Sequence, residues 1–91
     1  MTHMVDGKSY PTVGFVGAGN MAEALLGGMR AAGWPGERIW ATNRSNRARL
    51  DWLRSRYGIR VTHRKDELCE ASQVLVLAVK PKDVAEATAQ L

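Results

Sequence analysis

Six residues, Gly17-Ala18-Gly19-Asn20-Met21-Ala22, carry the clearest chemical signal in the sequence. Their pattern, G-x-G-x-x-A, suits a main chain that must come close to an anion. Glycine at position 17 allows a tight turn, and glycine at 19 leaves room for a pyrophosphate against the backbone. Ala22 keeps the third position small, so that a following helix can lie close on the preceding strand. The free N–H groups and positive dipole end of that helix would then face the phosphates. The pattern becomes specific only with a strand before it and a helix after it. Gly17, Ala18, Gly19, Asn20 and Met21 are thus the expected pyrophosphate-binding residues. Glu23, in the first helical turn, is expected to complement the helix dipole and not to touch a ligand, because carboxylate and pyrophosphate repel.

A second group of donors is Thr42-Asn43-Arg44-Ser45. Binders of NAD usually place Asp or Glu at the end of the second strand, about 20 residues beyond the glycines, on the ribose 2′-hydroxyl. Glu37 falls at that distance but precedes the second strand, at the wrong end of the sheet. The right end has no acid. Asn43, Arg44 and Ser45 offer amide, guanidinium and hydroxyl donors instead, and a 2′-phosphate accepts from all three, bidentately from arginine. A charge-assisted hydrogen bond contributes roughly 1.5–3 kcal/mol. The loop therefore predicts NADP(H) over NAD(H), by about ten- to hundredfold.

These groups must be held by a strand that turns into a helix, repeated along the chain. Val13, Phe15 and Val16 form a β-prone run before the glycines. After them Met21, Leu25, Met29 and Ala32 recur at helical spacing and predict the buried face of a helix. Gly33 stands where a helix commonly ends, and Pro35 prevents its resumption. Gly27 and Gly28, within the helix, predict close packing without a ligand. Ile39 to Thr42 reads as a second strand. Ser45 is the expected N-cap of a helix from Asn46 to Tyr57, stopped by Gly58. Ile59 to Thr62 reads as a third strand with one apolar face, and a brief helix runs from Asp66 to Ala71. Val74 to Val79 is apolar on both faces, as central parallel strands are. Pro81 suits the first turn of a last helix ending at Leu91.

Strand and helix alternate four times. Such alternation predicts the α/β class: a doubly wound parallel sheet with right-handed crossovers and strand order 3-2-1-4. In that order the fourth strand lies outermost unless more chain follows. A two-faced apolar strand makes a poor edge, so further strands or a second copy are expected to cover it. The sequence reads as the N-terminal portion of a longer protein. Residues 12–91 form the dinucleotide-binding domain in this reading, and residues 1–11 a polar leader, native or appended.

Composition narrows the classes further. Ninety-one residues suffice for one small domain, and 24% charged with 45% hydrophobic residues is ordinary for a globular protein. No apolar run approaches the ~18 residues of a membrane helix, and no secretory core is present, so no membrane partner is expected. The single Cys69 cannot form an internal disulfide; it reads as packing and points to a reducing, cytoplasmic setting. His3 and His63 show no metal-ligand spacing. Eight of the thirteen Lys and Arg residues lie between Arg44 and Lys65, with Asp51 the one acid in that interval. A nucleic-acid face would need more than charge. No helix-turn-helix or zinc-finger spacing accompanies Trp52, so Arg47, Arg49, Arg54 and Arg56 read as the solvated side of a helix whose apolar stripe is Leu50, Leu53 and Tyr57. No nucleic-acid partner is expected.

Three stretches together, VGFVGAGNMAEALLGGM, ATNRS and VLVLAVKP, closely resemble the N-terminal, Rossmann-type domain of pyrroline-5-carboxylate reductase. The resemblance covers residues 12–91. It implies an enzyme that reduces Δ1-pyrroline-5-carboxylate to L-proline with NADPH or NADH, the last step of proline biosynthesis. It also implies that the loop Ala78-Val79-Lys80-Pro81 borders the nicotinamide and its ribose, with Lys80 in cofactor contact and not in proton transfer. Lys65 stands where the family often has Asn near the adenosine, a departure that could add to 2′-phosphate attraction. In the family a C-terminal helical domain forms the dimer and surrounds the small-molecule substrate. Catalytic residues are expected there, so the 91-residue chain alone is expected to bind nucleotide and catalyse nothing, and the whole protein to be a homodimer or higher homo-oligomer. Two other readings stay open. One is a different oxidoreductase sharing the domain, of the deazaflavin-dependent NADP reductase or hydroxyacid dehydrogenase type; the other is a non-catalytic nucleotide-binding module.

Overall fold

The computed structural model describes residues 3–5, 8–78 and 88. The segment read as a polar leader carries a two-stranded antiparallel ribbon, β1 (His3–Val5) with β2 (Lys8–Tyr10), in the register His3 opposite Tyr10. Tyr10 is buried and meets Trp34 edge-on with ring centroids 5.0 Å apart, while the Trp34 indole N–H donates to the Pro11 carbonyl at 3.2 Å. The ribbon is thereby joined to the body of the chain.

That body is a parallel sheet. β3 (Val13–Val16) runs through its middle and is buried along its whole length. It pairs with β4 (Ile39–Thr42) on one side and β6 (Val74–Leu77) on the other, and the short β5 (Arg60–Val61) lies outside β4. The order β5-β4-β3-β6 is 3-2-1-4 for the four strands as they follow along the chain. This is a Rossmann-like α/β fold, with α1 (Asn20–Ala31), α2 (Arg47–Tyr57) and α3 (Lys65–Ala71) as its helices.

Successive strand residues face opposite ways, and the two sides are filled differently. Val13, Phe15, Ile39 and Ala41 join Ala22 and Leu26 of α1 and Leu50 and Leu53 of α2 in one core. Val16 meets Leu68 of α3 on the other side, with Trp40 packed against them. Gly14 sets how near α3 can come. A Cβ there would lie 2.6 Å from Leu68 Cδ2 and would also collide with Ser72 Oγ.

Helix ends follow the glycines. Gly33 has φ +100°; its N–H donates to the Arg30 carbonyl at 3.1 Å and that of Trp34 to Met29 at 2.9 Å, a Schellman closure of α1. Gly58, at φ +69°, ends α2 by donating to Arg54 at 2.8 Å. Arg30 then joins the two helix ends, donating from Nε to the Tyr57 carbonyl at 2.8 Å and from Nη1 to that of Trp34 at 2.6 Å.

Four expectations need correction. The buried face of α1 is Ala22 and Leu26, with Met29 half-buried, whereas Met21 and Leu25 are 56% and 47% exposed. The sheet selects the face that brings the small Ala22 against it. The N-cap of α2 is Asn46 and not Ser45, for its Oδ1 accepts the Arg49 N–H at 2.9 Å. The third strand is also shorter than expected, spanning Arg60–Val61. Gly27 packs closely, since a Cβ would lie 3.2 Å from Tyr57 Cε1, but Gly28 faces open space. β6 ends at Leu77; Val79 and the expected helix from Pro81 to Leu91 lie outside the described residues, apart from Thr88. Among the described residues no helix is long and apolar enough to cross a membrane.

Candidate dinucleotide site

All strands of the parallel sheet point the same way, so their carboxyl ends form one rim. The hydrogen-bond ladder continues one step past the strands at that rim. Gly17 N–H donates to the Thr42 carbonyl at 2.9 Å, Ala78 N–H to Val16 at 2.9 Å, and Thr62 N–H to Ala41 at 3.1 Å. The glycine loop, the loop after β4 and the start of the loop after β6 are therefore brought together, as the sequence reading required.

Gly17 takes φ +112°, a turn that side chains oppose. Ala18 is buried, and Gly19 is exposed at the N-cap of α1, where no side chain caps the helix. Gly19 itself is extended, with φ −85° and ψ −163°, and a Cβ built there meets nothing within 4 Å. The protein's own packing does not call for glycine at 19. A group approaching this backbone from outside would. Asn20 and Met21 follow as the first residues of α1, both exposed. The unbonded N–H groups of a helix start, a left-handed glycine and an open glycine together fit a pyrophosphate.

The loop after β4 is built by two asparagines. Asn43 Nδ2 donates to the Asn46 carbonyl at 2.9 Å, and Asn43 Oδ1 accepts the Asn46 N–H at 3.1 Å. Its amide thus closes the turn that sets Asn46 as cap. Arg44 and Ser45 lie on the exposed outside of that turn. Thr42 Oγ1, at the end of β4, is buried without a partner among the described residues. Lys65 is half-buried at the first position of α3. Val79, Lys80 and Pro81 lie outside the described residues.

One cluster beside the loop escaped the sequence reading. Arg49, read as solvated, sends Nε to the Ala18 carbonyl at 2.7 Å and Nη2 to Glu23 Oε1 at 2.8 Å. Tyr57 donates its hydroxyl to Glu23 Oε2 at 2.7 Å. The Arg49 and Glu23 side chains are only 22% and 26% exposed. The Tyr57 hydrogen bond, and next the Arg49 guanidinium, hold the Glu23 carboxyl below the ordinary glutamate range, while the same bond pushes the Tyr57 hydroxyl up. No local spacing signals this cluster, because Glu23 and Arg49 are 26 residues apart. Among the described residues, no group of three or more His, Cys, Asp or Glu side chains is placed to hold a metal ion.

The sequence and the fold are similar to those of known proteins. Residues 12–91 match the family model described as NADP oxidoreductase, coenzyme F420-dependent. The chain is 45% identical over 75 residues to pyrroline-5-carboxylate reductase 2 of Bacillus subtilis, covering 81% of this chain and 27% of that protein. It is 39% identical over 80 residues to the pyrroline-5-carboxylate reductase of Arabidopsis thaliana, covering 87% of this chain and 29% of that one. A solved pyrroline-5-carboxylate reductase from Coxiella burnetii superposes with a TM-score of 0.83 at 33% identity, over 89% of this chain and 30% of its own. The chain thus spans under a third of the length of these relatives. By the match over residues 12–91, the chain belongs to the family of NADP oxidoreductases described as coenzyme F420-dependent, and it matches the N-terminal domain of the pyrroline-5-carboxylate reductases.

Proposed function

We propose that residues 12–91 are the dinucleotide-binding domain of a reductase that converts Δ1-pyrroline-5-carboxylate to L-proline, a cytoplasmic homo-oligomer that prefers NADPH. The observation that carries this reading is the 45% identity to a pyrroline-5-carboxylate reductase over 75 residues that include the glycine loop. When bound, NADPH would supply a hydride for the imine carbon, with a proton taken up at the nitrogen. The chain's own part is binding and aim. Ala18, Gly19, Asn20 and Met21 receive the pyrophosphate on backbone N–H groups, at the turn that Gly17 makes with its own N–H held by the Thr42 carbonyl. Arg44, with Ser45 and Asn43, meets the 2′-phosphate, and Lys65 adds positive charge on the adenosine side. Ala78, Val79, Lys80 and Pro81 border the nicotinamide, at the strand end beside the switch point where such ligands gather.

A second reading follows from the family match over residues 12–91: the hydride partner is a deazaflavin and not an imine. The product of the complete reading frame is expected to oxidise NADPH when supplied with pyrroline-5-carboxylate and to ignore a deazaflavin. The reverse would establish the second reading. Failure of the 91-residue chain to bind either NADPH or NADH in calorimetry would overturn both.

A further inference from the structure

Arg49 has a place in this site that its position in a basic helix does not suggest. It sits in the first turn of α2, its own N–H held by the Asn46 cap at 2.9 Å. From there its guanidinium spans to the glycine loop, with Nε 2.7 Å from the Ala18 carbonyl and Nη2 2.8 Å from Glu23. Glu23 is itself fixed by Tyr57 at 2.7 Å, and the Trp52 ring lies 5.0 Å from the guanidinium carbon. The guanidinium is thus held at two edges and against a ring. Its charge is already answered by Glu23, so it is poorly placed to serve as a direct phosphate ligand.

What it grips is a peptide plane. In a trans peptide the carbonyl and the following N–H point in opposite directions. Arg49 draws the Ala18 carbonyl toward α2, and the Gly19 N–H is therefore turned the other way. Gly19 is the residue whose side-chain direction is open, with nothing within 4 Å of a built Cβ. We propose that Arg49 is a positioning residue for the dinucleotide: by holding the Ala18–Gly19 peptide, it aims the Gly19 N–H at the pyrophosphate. Glu23 and Tyr57 hold Arg49 in turn, which gives the first-turn carboxylate a purpose beside a site that would otherwise repel it. The inference rests on the dinucleotide reading of the glycine loop.

The test uses the 91-residue chain and two probes, NADPH and 2′-AMP, which shares the adenosine and 2′-phosphate but has no pyrophosphate. Arg49→Met is expected to weaken NADPH about tenfold, the size of one charge-assisted hydrogen bond, while changing 2′-AMP affinity less than about twofold. Arg49→Lys keeps the charge but cannot fork between Ala18 and Glu23, so it should follow Met. In amide correlation spectra of the ligand-free chain, the Gly19 signal should move in both variants while the β3 signals stay. Unaltered NADPH affinity in Arg49→Met, or full rescue by Lys, would overturn the inference alone. Equal losses for NADPH and 2′-AMP would do the same, since they would make the role general or a direct contact. Absence of NADPH binding to the unaltered chain would overturn the dinucleotide reading together with it.

Discussion

Tyr57, the last residue of α2, donates its hydroxyl to Glu23 in the first turn of α1 at 2.7 Å. The bond favours ionised Glu23 and neutral Tyr57, so it acts on stability from both ends of the pH scale. Glu23 has its folded pKa lowered, so its contribution is complete above the ordinary glutamate value and is lost as pH falls through the depressed one. Tyr57 has its folded pKa raised, so its share is complete below the ordinary tyrosine value and is lost as pH rises through the raised one. Tyr57→Phe is expected to flatten the alkaline limb of a plot of Tm against pH and to shallow the acid limb. Identical profiles for the variant and the unaltered chain would show that the bond does not persist in solution.

Gly14→Ala should destabilise the chain although it adds one methyl group. The new Cβ would lie 2.6 Å from Leu68 Cδ2 and collide with Ser72 Oγ. Relief requires α3 to move off β3, and overpacking of this kind costs about 1–3 kcal/mol. Urea unfolding would show a lower midpoint with an unchanged slope; an unchanged midpoint would mean that α3 yields freely.

Gly19→Val separates fold from binding. The position is extended, with dihedrals that suit a branched residue, and a Cβ there meets nothing within 4 Å. Its circular dichroism and melting are expected to match the unaltered chain, while NADPH binding in calorimetry is lost. Wild-type affinity would place the pyrophosphate elsewhere.

Arg44→Ala addresses the choice of dinucleotide. Arg44 is exposed on the turn that Asn43 closes onto Asn46, so its loss should leave the fold unchanged. The unaltered chain is expected to prefer NADPH to NADH, and the variant to lose about ten- to hundredfold of that preference. Equal affinities in the unaltered chain, or an unchanged ratio in the variant, would contradict the role.

β6 sets the association behaviour of the chain. Val74, Leu75 and Leu77 are 45%, 41% and 39% exposed on the strand beside β3 with no further strand paired outside it among the described residues. Apolar edges template pairing with other chains. Light scattering should show concentration-dependent self-association of the 91-residue chain, reduced by Leu75→Lys. A monomer at high concentration would mean that the edge is already covered.

The order of the sheet was legible because local signals agreed: apolar runs at Val13, Ile39 and Val74, each set off by Gly, Pro or capping residues, leave little choice of topology. The face of α1 was not. Met21-Leu25-Met29 and Ala22-Leu26-Met29 both satisfy helical spacing, and only packing in the assembled core decides for the smaller set. Ser45 and Asn46 are both good caps, and the decision lies in the Asn43 amide that bonds both backbone groups of Asn46. Within the site, glycines and rim loops could be read because backbone geometry is encoded locally. Arg49 could not, since its partners Ala18 and Glu23 reach it only once α1 and α2 lie side by side.

Arg30 makes those two helices one object. Its guanidinium closes carbonyls at the tail of α2 and just beyond the tail of α1, while Arg49 couples the same helices at their heads, and the Tyr57 ring fills the space over Gly27 between. Fastened to each other at head and tail, α1 and α2 are expected to open as a single cooperative unit.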